Sequence, residues 1–294
     1  MKLMTAALLL AALQDGPVQV KWKFEKGREL LYRQSQKQSM EFAGNAMEQE
    51  TSQTNLWTVK EVDDAGQATV ETKCVAMSAK GSGAAGEYDY DSEKDKEAPA
   101  NPQVAMMAKM VGQTFTMKMT PAGKIVELRG YDKLVDQMLK DLGDDAGPMK
   151  EMLKQMLSDD TMKSMMQQMA PMLPEKAVAK GDTWKNDFTL KLPMLGGMKF
   201  GITSTLTDVK GGEAHIGQDW TIEIKADDAD KENPLGGLVQ IKASKAKAAI
   251  VFSLERGCFV SQKMSMEMTI SAGGQEIPIK TDGELRLVDK RKNF

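Results

Sequence analysis

The sequence predicts an α+β fold, mainly β, in which two related antiparallel sheets, each half-barrel or sandwich-like, flank a helical insertion rich in methionine. Three observations predict it. Most of the chain alternates apolar and polar residues with the period of two of a half-buried strand. Turn-bearing stretches recur in the same order in both halves, as in an internal duplication. Between the halves, Tyr131 to Leu173 changes to a helical period.

Residues 1–16 read as a signal peptide. Lys2 supplies the positive end, and Leu3 to Leu13 is an apolar run well short of the roughly 20 residues that cross a bilayer. No later stretch is that apolar, so no transmembrane segment is predicted, and the expected location is periplasmic or extracellular. The net charge of −3 gives no electrostatic case for nucleic acid. Cys74 and Cys258 fall in different halves of a chain bound for an oxidising compartment. The sequence leaves open a bond between them or two buried thiols, because the Cα separation that decides it is not legible.

Residues 17–130 form the first β repeat. Val18, Val20, Trp22 and Phe24 alternate as an opening strand, and Lys26-Gly27 turns it. Leu30 to Phe42 follows, with Gln34, Gln36 and Gln38 between apolar ends on one face, which is not the pattern of a dry core. Asn55 to Val62 and Gln67 to Met77 pair across Asp63-Asp64-Ala65-Gly66. Gly81-Ser82-Gly83-Ala84-Ala85-Gly86 has the spacing of a dinucleotide fingerprint but leads into the alternating Glu87-Tyr88-Asp89-Tyr90, so it reads as a hairpin loop. The acidic run from Asp89 to Glu97 lacks the glycine of a calcium-binding loop and reads as a solvated turn. Pro102 to Val111 suits a short helix, and Thr114 to Thr120 and Lys124 to Leu128 suit two strands.

The insertion, residues 131–173, divides into three short helices. Leu134, Val135, Met138, Leu139 and Leu142 make one apolar stripe, and Met149, Met152, Leu153, Met156 and Leu157 the next. Met162, Met165, Met166 and Met169 make the third. Helices of about 10 residues are unstable alone and must dock on the sheets.

Residues 174–294 form the second β repeat, with an extra C-terminal hairpin. Ala179-Lys180-Gly181-Asp182 parallels Glu25-Lys26-Gly27-Arg28, and Leu206 to Ala214 parallels Trp57 to Ala68. Phe252 to Gly257 parallels Met117 to Gly123. The hairpin places Met264, Met266, Met268 and Ile270 on one face and returns through Ile277 to Val288.

The chain resembles a family of uncharacterised secreted bacterial proteins of planctomycete type, a domain of unknown function. The residues that carry the likeness are Trp22-Lys23-Phe24-Glu25-Lys26-Gly27, Tyr90-Asp91-Ser92, Pro121-Ala122-Gly123-Lys124-Ile125-Val126 and Gly130-Tyr131-Asp132-Lys133-Leu134. Leu173-Pro174 leading to Lys180-Gly181-Asp182-Thr183-Trp184 completes them. These motifs are structural and imply no activity.

Most catalytic chemistries find no constellation here. His215 is the one histidine, with no nucleophile beside it in sequence, so no catalytic residue is predicted. One histidine and two distant cysteines do not make a zinc site, and neither metal nor cofactor is predicted. The 24 methionines allow three uses: core filler, an adaptable apolar binding surface, or soft Cu(I) ligation through Met162, Met165, Met166 and Met169 or Met264, Met266 and Met268. Core spacing and copper spacing coincide. The expected function is non-catalytic binding of a lipid or other apolar ligand between sheet and helices, with Met138, Met152, Met156, Met165 and Met169 as its binding residues. The alternatives are an envelope-associated structural module without ligand and a carboxylate-based hydrolase.

Overall fold

The computed structural model describes residues 16–42, 45–83, 86–97, 99–131, 135–136, 162–163, 166, 173–192, 196–225, 239–272 and 275–288. Its elements in chain order begin with β1 (Glu29–Phe42), β2 (Asn45–Val62), β3 (Ala68–Gly83), β4 (Gly86–Asp91), α1 (Pro102–Ala108), β5 (Thr114–Met119) and β6 (Ile125–Arg129). The second half supplies β7 (Thr183–Leu192), β8 (Gly196–Lys210), β9 (Glu213–Lys225), β10 (Val239–Ser253), β11 (Cys258–Ala272) and β12 (Gln275–Val288).

All these strands belong to one open antiparallel sheet, in the order β6-β5-β3-β2-β1-β12-β11-β10-β9-β8-β7, with β4 beside β3. Two separate sheets were expected, and this is a correction. The halves fuse because β1 and β12 pair continuously from Leu31↔Val288 to Met40↔Ile279. Left apart, the first strand of one meander and the last of the other would each present a long unpaired edge, and joining them satisfies both ladders.

The N-terminus also departs from the expected opening strand. Val18 makes an isolated bridge with Val178, and the rest of the predicted opening strand is a strap across one end of the sheet. Trp22 donates its backbone N–H to the carbonyl of Pro121 at 2.8 Å, and Lys23 donates to that of Gly257 at 3.0 Å. These carbonyls belong to the β5–β6 and β10–β11 turns, so the strap ties a turn of the first half to a turn of the second. Trp22 is buried and lies 5.1 to 6.0 Å, centroid to centroid, from the rings of Phe24, Trp57, Phe252 and Phe259.

Some hydrogen bonds and register shifts recur in both halves. Gly27 donates to Val59 and Val59 to Arg28, while Gly181 donates to Leu206 and Leu206 to Asp182. A register shift follows Val59 in β2 and Leu206 in β8. Another falls at Lys118/Met119 in β5 and at Val251/Phe252 in β10.

The main core gathers one end of the strands on one face: Leu30, Val59, Val70, Met117, Ile125, Leu206, Ile216, Ile250 and Phe259 all contribute. Tyr131, Val135 and Leu173 join it, and Met162 and Met166 pack against it. Tyr131, Val135, Met162 and Met166 are helical, and most of the predicted insertion lies outside the described residues. A second cluster forms where α1 lays Val104 and Met107 over Met77, Ala79, Tyr88 and Tyr90. Cys74 and Cys258 are both buried free thiols.

Candidate functional site

Alternation along the strands gives the sheet two faces of opposite chemistry. On the face opposite the core, Asp89, Lys80, Glu50, Lys37 and Asp282 stand side by side on β4, β3, β2, β1 and β12, and Lys247 and Asp219 continue on β10 and β9. Lys80 meets Asp89 at 3.0 Å, Lys37 meets Glu50 at 3.2 Å, and Lys247 meets Asp219 at 3.6 Å. Hydrogen bonding to Glu50 and the nearby Glu48 carboxylate raise the Lys37 pKa. This face holds a shallow depression of about 850 Å³. Exposed pairs of this kind contribute little stability and read as a solvated coating. His215 belongs to this face, opposite Val251 and Asp208.

The core-bearing face is different. At the margin of the core, one row across the strands runs Gln53, Gln34, Leu285, Gln262 and Ile250. The next runs Thr51, Gln36, Gly283, Met264, Ala248 and Gln218, and a third runs Gln49, Gln38, Thr281, Met266, Ala246 and Trp220. Among the described residues these rows contain no Asp, Glu, Lys, Arg or His. Amides crowd β1 and β2, and thioethers line β11.

This uncharged face has internal structure. Gln218 donates through Nε2 to Ser204 Oγ at 3.0 Å, and Trp220 donates through Nε1 to Gln218 Oε1 at 3.2 Å. Both Gln218 and Ser204 are buried, and their mutual bonding offsets the cost of leaving water. Thr281, at the middle of its row, is 3% exposed and its hydroxyl has no partner among the described residues. Beneath α1, Gln34, Gln36, Thr51, Gln53, Met77, Met107 and Met110 line a cavity of about 220 Å³. Nearby, burial raises the Cys74 thiol pKa against the opposing effect of hydrogen bonding with the Gln53 side chain and the Ala76 backbone.

The predicted binding residues Met138, Met152, Met156, Met165 and Met169 lie outside the described residues. Of the methionines named for copper, Met162 and Met166 pack against the core, and Met264, Met266 and Met268 alternate along the uncharged face opposite Ala248, Ala246 and Ser244. The glutamines of the predicted second strand do fall on that face, as the sequence indicates. Sequence reasoning missed Met77, Met107 and Met110 as cavity residues, because α1 meets β3 only in three dimensions. It also missed Thr281, whose only signal is a hydroxyl between apolar residues at period two.

No curated protein matches the chain. Solved structures give distant likenesses. One is lipovitellin, in a structure concerned with lipid–protein interactions, at 9% identity and a TM-score of 0.47, covering 90% of this chain and 25% of that one. The chain thus spans a quarter of the lipovitellin chain it matches. DynF, from the dynemicin biosynthesis pathway of Micromonospora chersina, is 7% identical with a TM-score of 0.21, covering 95% of this chain and 90% of that one. Rv2717c from M. tuberculosis is 7% identical with a TM-score of 0.24, covering 87% and 91%. A family model, that of DUF6263, matches residues 65–284, which takes in both halves of the sheet from β3 to β12. The chain belongs to this family, whose description is a family of unknown function.

Proposed function

We propose that the protein is an exported, non-catalytic binding protein that holds an apolar ligand on the uncharged face of its sheet. One observation carries the reading: a face of amides and thioethers, with a cavity of about 220 Å³, backs a sheet whose other face is densely charged. Ligand sites are mostly apolar, with a few polar groups that fix orientation, and this face has that composition. Unbranched methionine side chains adapt to ligands of varied shape. A ligand there meets no carboxylate or imidazole among the described residues of the rows, which supports binding without turnover. The signal-like N-terminus supports export. The paired turn hydrogen bonds and register shifts of the two halves support an internal duplication, with one copy turned towards amides and the other towards apolar contacts.

The test is incubation of the full chain with a mixed lipid extract, followed by native mass spectrometry and by Nile red fluorescence. Lipid adducts that organic solvent removes, together with dye capture, are the expected result. Absence of both points to a structural module without ligand, and release of cleaved glycans or esters points to the hydrolase.

A further inference from the structure

The uncharged face is not uniform across its width. Gln36 and Gln38 of β1 sit on one side of β12, and Met264, Met266 and Met268 of β11 on the other. Thr281 of β12 stands at the boundary, directly between Gln38 and Met266. Its hydroxyl is buried and has no partner among the described residues. A buried hydroxyl without a hydrogen bond costs free energy that a ligand group would recover. The amides on one side both donate and accept, whereas the thioethers on the other offer contact and almost no hydrogen bonding. Charge is absent from the rows, so an ionised head group would leave water with no counter-ion to meet it.

We infer that the face takes a non-ionic amphiphile. Its uncharged polar end lies over the amides of β1 and β2, its chain lies over the methionines of β11, and an oxygen at the junction pairs with the Thr281 hydroxyl. This rests on the apolar-ligand reading above and adds the head-group class and the orientation.

The experiment compares binding of 1-monooleoylglycerol, sodium oleate at pH 9 and Nile red to the full chain, to Thr281→Val and to Thr281→Ser. The monoacylglycerol should bind at least about 10-fold more tightly than oleate, which has the same chain and a charged end. Thr281→Val, nearly isosteric, should weaken the monoacylglycerol by about 10-fold, the equivalent of one hydrogen bond, and by more than it weakens Nile red. Thr281→Ser should keep the affinity. Should Thr281→Val fail to fold, Gln38→Leu serves the same comparison with the same expected loss. Oleate binding as tightly as the monoacylglycerol overturns this inference and leaves the apolar-ligand reading standing. Equal affinities in Thr281→Val and the parent chain overturn the orientation. Capture of none of the three probes overturns the underlying reading with it.

Discussion

Arg28, at the entry to β1, donates through Nη1 to the backbone carbonyl of Arg256 in the β10–β11 turn at 2.6 Å. The same nitrogen reaches the carbonyl of Lys23 at 2.9 Å, and Nη2 reaches Cys258 Sγ at 3.4 Å. One guanidinium therefore holds the strap, the first strand and the far hairpin together, which its rigid fork of donors suits it to do. Arg28→Met should lower unfolding stability by about 2–3 kcal/mol, since the carbonyls of Lys23 and Arg256 lose a charged donor. Arg28→Lys should recover only part of that. Urea unfolding of the two variants checks this, and a loss below about 0.5 kcal/mol in Arg28→Met would contradict it.

Gly257 follows in the same turn, with φ of 58°, a left-handed conformation that glycine adopts freely. A Cβ there would also lie 2.5 Å from the backbone nitrogen of Lys23. Gly257→Ala therefore combines backbone strain with a clash against the strap, and should cost roughly 2 kcal/mol or more. The control is Gly181→Ala, with φ of 92° but open space around the added carbon, which should suffer the strain alone. Equal losses in thermal unfolding would show that the strap does not press on the turn.

Tyr32 is buried, and its hydroxyl donates to the carbonyl of Phe259 at 3.2 Å. Burial first, and the nearby Cys258 thiol second, raise its pKa well above 10.0. The folded state thus keeps its proton to higher pH than the unfolded chain. Stability from this group is intact below about pH 10 and declines as pH rises beyond it, because the unfolded state then binds fewer protons. Tyr32→Phe should make the decline between about pH 10 and 11 shallower. An identical slope in both proteins would contradict the assignment.

How much of this was legible in the sequence depends on the range of the interaction concerned. The alternation of Met264, Met266 and Met268 marks β11, and Gln34, Gln36 and Gln38 mark an unusual face, because strand period is a local property. The sequence pattern starts β2 at Asn55, whereas the strand begins at Asn45. Its first residues place Glu48, Glu50 and Ser52 against water and Gln49, Thr51 and Gln53 on the uncharged face, so no apolar alternation announces them. The pairing of Leu31 with Val288 joins the ends of the chain, and no local pattern encodes such a partner. The strap has the sequence pattern of a strand, because Val18, Val20, Trp22 and Phe24 alternate like one. Its hydrogen bonds go to turn carbonyls instead of a ladder.

Methionines on the sheet should separate into two energetic classes. Met117 is 1% exposed and sits in the main core, so Met117→Ala should cost about 2–5 kcal/mol through lost contacts and a residual cavity. Met264 is half-buried on the uncharged face, and Met264→Ala should cost about 1 kcal/mol or less while weakening capture of Nile red. Full core penalties at both positions, with dye capture unchanged, would make the uncharged face ordinary core.

The most direct measurement of the central claim uses two adjacent residues with opposite faces. Ser265 is exposed on the charged face between Asp282 and Lys247, and Met266 is half-buried on the uncharged face beside Thr281. Nile red capture by Ser265→Lys and Met266→Lys compares the same new charge on either side of one strand. Ser265→Lys should capture the dye like the parent chain, and Met266→Lys should lose at least about 10-fold, because an unpaired ammonium is costly next to an apolar ligand. Equal capture by both variants would contradict the assignment of the uncharged face as the binding surface.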